Sequence, residues 1–494
     1  MRITNKMMSN NSRVNINKNK ELEDKLNTQM STQKKITRPS DDPVIAIRAL
    51  RLRSNLNEIT QYYEKNIPDA SAWLEITESA LKETKEVVDD MYEYSVQGSN
   101  GDITPEDRLK LLENLKELRN QVYSAGNADY AGRTVFTGYR TGETLTFDKD
   151  TTDLFGITEE FSVDDIEEMS YVKGKTVINT TSPLAGIAEN SVQSETAHRI
   201  RLSYDTIEQF GAAQPALNVG TVAATDENVY DVAAYNAANG TTHDAIFIEE
   251  TGELILSDAT LTTLQTADSI TMNYDKKEWS KGDLKPQHYF DCDEYGTQDP
   301  TVATSTPIEH RNQTEGQEIE YDISFNQSLR VNTLANEIYI HDVSRDVDEL
   351  IAATEAAIAV DDKIKKLTAM KSEAQYSSDA DQAAIASMLE ATEKERTFVK
   401  ENMKNKFFHS ISQTQGYLDT ANLAIANCGA RGNRLALTQA RMKEQQTSFK
   451  DLASENENAN VADVAIELAS AELAYDAALM ATGKIAQQTL LNYL

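Results

Sequence analysis

The carboxyl-terminal stretch Val461–Leu494, VADVAIELASAELAYDAALMATGKIAQQTLLNYL, decides the fold of this chain. Its apolar residues and threonines recur three and four positions apart, as in an amphipathic helix. They are Val464, Leu468, Tyr475, Leu479, Thr482, Ile485 and Thr489. A second apolar set lies on another face and consists of Ile466, Leu473, Ala477, Met480, Leu491 and Leu494. Because one stripe suits one neighbour and two stripes indicate several, the pattern predicts a helix that takes part in an assembly.

The amino-terminal residues 1–36 carry a sparser apolar pattern among many polar residues. Six asparagines between Asn5 and Asn19 lower the helix propensity, since their amides compete for backbone partners. We expect this segment to be labile alone and helical against a partner, and strong amide protection of the monomer would contradict that expectation. The predicted assembly interface combines both ends of the chain: Ile3, Met7, Leu22, Leu26, Val464, Leu468, Tyr475, Leu479, Leu490 and Leu494.

A helix-start motif follows the amino-terminal segment and comprises Arg38, Pro39, Ser40, Asp41, Asp42 and Pro43. Pro39 moves Arg38 out of the helical region. Asp42 suits the cap of the next helix and Pro43 its first position, with Asp41 favourable near the positive helix end. The direct role predicted for the motif is to begin that helix.

Long helices are predicted on either side of the middle of the chain. From Val44 to about Tyr94 the apolar spacing is that of a coiled-coil seam, with a kink near Glu64 because Pro68 lacks a backbone donor. Helical periodicity resumes near Val343, and breaks are expected at 377–379 and 456–460. Asn458 or Asn460 is a plausible cap for the last helix.

The middle of the chain reads as mostly β, because Thr, Val, Ile and Tyr alternate with polar residues between turn signals. The predicted fold class is therefore mainly α with a β-rich insertion, in which both chain ends build an antiparallel helical rod. We expect three layers: terminal helices (1–40 with 456–494), an α-helical rod (41–140 with 341–455) and a β-rich acidic outer domain (141–340).

Charge is distributed unevenly along the 494 residues, whose formal net charge is -32. Residues 1–60 contain 12 basic and 6 acidic residues, which gives +6, whereas residues 141–340 contain 11 basic and 36 acidic residues, which gives -25. The middle should therefore be well solvated and poor at binding nucleic acid. The modest basic excess of the start could meet an acidic partner.

No motif for catalysis, a cofactor or a metal stands out. The six histidines are scattered, and there is no HExxH, CxxC, P-loop or GxGxxG pattern. Acidic pairs such as Asp164 and Asp165 are expected by chance among 80 carboxylates, and Cys428 lies at an apolar helical position that suits a packed core. We therefore expect no enzyme activity and no cofactor. The amino terminus lacks the apolar run of a Sec signal, and no stretch approaches a transmembrane helix, so we expect no membrane insertion.

The terminal motifs resemble those of the flagellin superfamily. The resemblance rests on Met1–Met8 (MRITNKMM), Ser31–Pro43 (STQKKITRPSDDP), Glu472–Ile485 (ELAYDAALMATGKI) and Thr489–Leu494 (TLLNYL), and covers roughly 1–140 and 400–494. Within the superfamily these motifs are similar to those of subunits at the junction between hook and filament. Three positions depart from the family pattern: Gln33 stands where glycine is frequent, and Asn458 and Asn460 stand where aspartates are usual.

The resemblance implies a structural subunit of the bacterial flagellum, with paired terminal helices inside and a β-rich domain facing solvent. It implies an extracellular location, export by the flagellar type III pathway without a cleaved signal peptide, and an export chaperone. The implied partners are copies of the chain in a ring, the hook-side junction protein and flagellin. Two alternatives stay open: a filament-forming flagellin, and an enzyme carried by the β insertion.

Overall fold

The computed structural model describes residues 5–100, 103–178, 191–207, 216–218, 220–225, 228–267, 269–297, 306–311 and 316–491. The chain divides into two compact units. Unit 1 comprises Met1–Ala70, Tyr321–Leu329 and Asn433–Leu494. Unit 2 comprises Ser71–Glu320 and Arg330–Gly432. The three-layer boundaries predicted from the sequence remain a prediction.

The long helices account for most of the described residues. They are α1 (Asn5–Thr32), α2 (Pro43–Gln61), α3 (Ile67–Ser99), α4 (Pro105–Gln121), α7 (His341–Ser372), α8 (Asp379–Glu457) and α9 (Val461–Leu491). The short helices α5 (Val232–Asn239) and α6 (Asp258–Leu264) lie in the middle of the chain. The breaks predicted at 377–379 and 456–460 coincide with the starts of α8 and α9.

Local capping chemistry explains where several helices begin. The Thr104 hydroxyl accepts a hydrogen bond from the Asp107 amide at 3.2 Å, and Pro105 occupies the first position of α4. The Asn460 side chain accepts from the Ala462 amide at 3.1 Å at the start of α9. Of the two asparagines considered from the sequence, Asn460 is the one whose side chain bonds to an amide of the α9 start.

A π-helical turn, Tyr62–Asn66, separates α2 from α3. Its wider spacing is visible in the Ile67 amide, which donates to the Tyr62 carbonyl five residues earlier. Pro68 has no amide to offer the Glu64 carbonyl, so the regular helical pattern cannot continue through this turn. A π turn therefore lies at the position where the sequence predicted a kink, and the kink itself stays a prediction.

The middle of the chain forms two five-stranded sheets among the described residues. The relevant strands are β3 (Leu154–Phe161), β4 (Ile166–Lys173), β5 (Gln193–Arg201), β6 (Ala216–Leu217), β7 (Val222–Thr225), β8 (Ala245–Ile248), β9 (Glu253–Leu256), β10 (Ile270–Lys276), β11 (Asp291–Gly296) and β12 (Ile308–His310). One sheet has the order β12-β11-β3-β10-β6 and the other β4-β5-β9-β8-β7. All of their pairings are antiparallel except that of β7 with β8.

Short two-residue strands form a hairpin just before these sheets: β1 (Asp129–Tyr130) and β2 (Arg133–Thr134). A second hairpin follows them and pairs β13 (Glu320–Ser324) with β14 (Gln327–Arg330).

An aromatic core holds the β-rich region together. The Trp279 ring stacks on Phe147 with centroids 4.9 Å apart and meets Tyr204 edge-on at 5.0 Å. Residues of both sheets, such as Ile157 and Phe247, join the same buried cluster. The predicted fold class, mainly α with terminal helices and a β-rich middle, is confirmed.

Candidate assembly interface

The first and last long helices of unit 1 pack against each other in antiparallel fashion. Leu26 of α1, only 3% exposed, is buried against Val464 and Ala471 of α9, and Leu468 packs on the same cluster. Farther along, the Asn19 side chain reaches the Ala474 carbonyl at 3.4 Å. Residue numbers rise on α1 as they fall on α9, so the two ends of the chain form a helical pair.

The opposite face of α9 carries apolar side chains that this pairing leaves uncovered. Ile466, Leu473 and Met480 are 70%, 72% and 66% exposed. Seven residues separate each from the next, and at about 100° per residue they lie on the side of α9 away from Val464 and Leu468. We call these three residues the outer stripe. Among the described side chains, Val464 and Leu468 of the first predicted face pack against α1, whereas Ile466, Leu473 and Met480 of the second are exposed.

Large apolar side chains of α1 are exposed to solvent, like those of the outer stripe. Met7, Val14 and Leu22 are each about half exposed, although their type and spacing would suit a helical contact. Where α1 meets α9, the described side chains bury a narrow seam around Leu26, and these three residues of α1 lie outside it.

The residues of the predicted interface thus occupy three kinds of place. Leu26, Val464 and Leu468 form the seam between α1 and α9, while Met7, Leu22 and Leu479 are exposed and Tyr475 is half-buried. Leu490 lies in α9 but its side chain is outside the described part, and Ile3 and Leu494 lie outside the described residues. The assignment of all ten to contacts between subunits stays a prediction.

A pair of main-chain hydrogen bonds joins the turn after α1 to the turn before α9. The Ala459 amide donates to the Gln33 carbonyl at 2.9 Å, and the Lys35 amide donates to the Glu457 carbonyl at 2.8 Å. Gln33 itself has a φ of 58°, a conformation that favours glycine. The departure from glycine noted at this position in the sequence therefore places a strained residue in the turn.

Glu457 is the centre of this connection, and the sequence did not single it out. Its carboxylate accepts from Arg53 Nε at 2.7 Å and also meets Arg53 Nη2, while Lys34 Nζ lies 3.6 Å away. The Arg53 hydrogen bonds, followed by the charges of Arg53 and Lys34, hold the pKa of Glu457 below its ordinary value. The sequence did carry a signal for this connection. An acidic residue in the last turn of a helix interacts unfavourably with the helix dipole, so its presence there indicates a stabilising partner elsewhere in the chain.

The helix-start motif separates into a cap and a turn. Asp42 Oδ1 accepts from the Val44 and Ile45 amides at 2.9 and 3.1 Å, and Pro43 is the first residue of α2. Asp41 instead accepts from the Arg38 amide at 2.9 Å and from the Thr37 amide at 3.1 Å. These bonds lower the pKa of Asp41, the Arg38 amide contributing most, so this carboxylate shapes the preceding turn.

The first turns of α2 present a second open apolar surface beside the motif. Val44, Ile47 and Leu50, three residues apart, are all exposed. A groove of about 190 Å³ adjoins them, with an apolar lining from Ile36, Pro39, Ala46, Ala49 and Leu50 and a basic rim from Lys34, Arg38 and Arg53. The rim thus carries three of the twelve basic residues of the first 60, of which Arg53 is paired with Glu457. Ser40 is exposed beside it.

The described residues contain no group of three or more His, Cys, Asp or Glu side chains placed to hold a metal ion. None of the described helices is long and apolar enough to cross a bilayer. Cys428 is buried, its thiol lies 3.5 Å from the Leu74 carbonyl, and burial raises the pKa of this thiol to about 11. It is a packing residue of unit 2.

Comparison with known proteins locates the resemblance in the first part of the chain. Residues 3–141 match the family described as the bacterial flagellin N-terminal helical region. Flagellar hook-associated protein 3 of Salmonella typhimurium is 33% identical over 152 residues, which are 31% of this chain and 47% of that protein. The protein of the same name from Escherichia coli K12 is 33% identical over 127 residues, 26% of this chain and 39% of that protein.

The matched part spans less than half the length of these curated relatives. Among solved structures, a flagellar junction protein of Legionella pneumophila aligns with 79% of this chain and 99% of its own, at 11% identity and a TM-score of 0.26.

Proposed function

We propose that this flagellin-like chain, which resembles flagellar hook-associated protein 3, is a structural subunit of the bacterial flagellum at the hook–filament junction. In this role it assembles through its paired terminal helices and connects the hook side to the flagellin filament. The proposal extends the resemblance of residues 3–141 to the whole chain. It includes a location outside the cell and export by the flagellar type III pathway.

The observation that supports assembly most directly is the outer stripe of α9. Ile466, Leu473 and Met480 are exposed on a helix whose opposite face is already paired with α1. Burying a side chain of this size yields about 1.5–3 kcal/mol, so the stripe offers about 5–9 kcal/mol of gross stabilisation to a neighbouring helix. Exposed apolar surface arranged in this way marks a contact site for another protein.

The proposed partners follow from the same surfaces and from the resemblance. Copies of the chain in a ring would cover the outer stripe, and the hook-side junction protein and flagellin would lie on either side of that ring. Before assembly the same apolar helix needs protection, and an export chaperone would supply it. The predicted layers, with terminal helices inside and residues 141–340 outside, belong to this proposal.

The outer stripe can be tested in cells. Replacing Ile466, Leu473 and Met480 together by Asn should leave the α1–α9 seam intact and abolish incorporation into flagella, measured by immunoblotting of purified hook–basal bodies. The matched control replaces Glu467 and Glu472, which are also exposed on α9, by Gln. Normal incorporation of the triple variant would overturn the assembly role of this face.

Immunogold labelling separates the junction role from that of a filament-forming flagellin. A junction subunit should be labelled only where hook and filament meet, whereas labelling along the filament would show a flagellin.

A further inference from the structure

A groove of about 550 Å³ in unit 2 runs between β4 and α8 and has no place in the assembly role proposed above. Five consecutive residues of β4, Ile166–Ser170, line it. Successive side chains of a strand point to opposite faces, so a lining by consecutive residues means that the groove follows the edge of the strand. The volume is within the range of known ligand sites.

The edge of β4 that faces the groove is unpaired. β4 pairs with β5 on one side over its full length, from Ile166 opposite Ile200 to Lys173 opposite Gln193. It is the first strand of its sheet, and no other described strand adds to it. Along the five residues that line the groove, alternate residues of β4 therefore direct main-chain N–H and C=O groups into it over about 17 Å, at about 3.3 Å per residue.

The opposite wall is a row of side-chain amides on α8. Asn402, Asn405 and Gln413 line the groove, and none of them hydrogen-bonds to another described residue. An amide side chain offers both donors and an acceptor, the combination that pairs with a peptide main chain. Both long walls thus present groups that recognise backbone.

The base of the groove is already neutralised, while its rim is acidic. Arg199 bonds to Glu349 at 2.8 Å, and Lys406 bonds to the same carboxylate at 2.8 Å, so these charges are paired. Asp164 and Glu168, in contrast, are exposed and have no ion-pair partner among the described residues. The charge left over for a ligand is negative.

We propose that the groove between β4 and α8 binds an extended peptide segment of a partner protein that carries lysine or arginine side chains. The segment adds a strand to the free edge of β4, the α8 amides bond to its other edge, and Asp164 and Glu168 select its basic residues. The opposing explanation is that the acidic residues keep β4 from pairing with any strand, since charged side chains protect open sheet edges. The two explanations predict opposite results for a basic peptide.

Fluorescence anisotropy with the full chain tests the proposal. The probe is a labelled nine-residue peptide of alternating lysine and threonine, and two further peptides carry glutamate in place of lysine or N-methyl groups on alternate lysine amides. We expect the lysine peptide to bind, the glutamate peptide not to bind, and the N-methylated peptide to bind about tenfold more weakly, because it loses at least two main-chain hydrogen bonds. If the N-methylated peptide bound as tightly as the unmodified lysine peptide, charge attraction alone would account for binding. That result would overturn strand addition.

Variants locate the binding site. The pair Asp164→Lys and Glu168→Lys should weaken binding of the lysine peptide about tenfold, because the rim becomes repulsive. The matched control changes Asp148 and Glu160, two other exposed acidic residues, to Lys and should keep the Kd within about twofold. Asn402→Ala with Asn405→Ala should weaken it about fivefold without a charge change. Equal losses in the control pair, or no binding of the lysine peptide, would refute the assignment.

Discussion

The terminal helices and the β-rich region of this chain differ in how far they bury their own side chains. The α1–α9 pair closes a thin seam around Leu26 and leaves Ile466, Leu473 and Met480 in solvent. The β-rich region buries an aromatic core around Trp279 and also encloses Arg199, which meets Glu167, Glu253 and Glu349. The β-rich region thus buries its aromatic core and its charged cluster within one chain, whereas the terminal pair leaves an apolar stripe exposed that the proposed assembly would cover.

The largest expected effect comes from breaking the buried charge cluster of unit 2. Arg199→Ala leaves the buried Glu253 carboxylate without its cation, whereas Glu349 keeps Lys406 and Arg201. The uncompensated buried charge should lower the free energy of unfolding by about 3–5 kcal/mol. Urea unfolding followed by tryptophan fluorescence measures it, because Trp73 and Trp279 are both buried in unit 2. Arg311→Ala is the control: Arg311 is half-exposed beside Asp293, so its loss should change the free energy of unfolding little. If both variants lost a similar amount of stability, the ion pairs of Arg199 would not be shielded from solvent as the structure indicates.

A second prediction uses pH to probe the same region. Burial raises the pKa of Glu159 to about 7, although Ser203 and Tyr274 donate hydrogen bonds to its carboxylate. Because the folded pKa exceeds the unfolded one, stability from this group is present at low pH and lost as the pH rises through about 7. The full effect is about 3 kcal/mol, most of which falls between pH 5 and pH 8, and Glu159→Gln should remove that part from the difference in the free energy of unfolding between these two pH values.

The adjacent residue supplies the control for this pH effect. It is Glu160→Gln, which removes the carboxylate of an exposed neighbour by the same substitution. If the pH dependence of the free energy of unfolding were unchanged in Glu159→Gln, a group other than Glu159 would be responsible for it.

The seam of the terminal pair should respond less strongly. Leu26→Ala removes the side chain that Val464 and Ala471 cover, which should cost about 2 kcal/mol of local stability, at the low end for a buried leucine because the seam is narrow. Hydrogen exchange of α1 and α9 in the monomer is the measurement. Leu22→Ala, at a half-exposed position of the same helix, should change exchange little. If Leu26→Ala and Leu22→Ala changed hydrogen exchange equally, the packing of Leu26 against α9 would not be what stabilises α1.

The smallest effect concerns the strained turn after α1. Gln33→Gly should stabilise unit 1 by about 0.5–1 kcal/mol, because glycine adopts the positive φ of this position without strain. Gln33→Val should destabilise it, since a β-branched residue tolerates that conformation poorly. Hydrogen exchange at the Ala459 and Lys35 amides reports on both variants. Stabilisation by valine would contradict the conformation of the turn.

The helical part of the fold was predictable because its signals are local. Asp42 with Pro43, Thr104 with Pro105, and Asn460 each mark a helix start within a few residues, and Pro68 marks the interruption that became a π turn. The two-faced character of α9 was equally visible in its spacing. Which face is covered was not, because that depends on Leu26, more than 430 positions away.

The β-rich region was predictable only as a class. Alternation in β4 and β5 indicates strands, yet nothing in either strand specifies that β5 lies between β4 and β9. Arg199 was missed for a related reason, and at Glu457 the sequence shows only an acidic residue at an unfavourable helix end, without its partner. A buried charge is stable only through distant partners such as Glu349 or Arg53, and those partners leave no mark on the neighbouring sequence.

The spacing of the outer stripe has a consequence for the handedness of any contact made there. Side chains seven residues apart drift by about 20° per repeat on a straight helix, so the line from Ile466 through Leu473 to Met480 turns slowly around α9. A neighbouring helix can follow that line only by winding with it, in the left-handed sense of a supercoil. In the proposed assembly, these three exposed residues would therefore set the direction in which helices of adjoining subunits wind around each other.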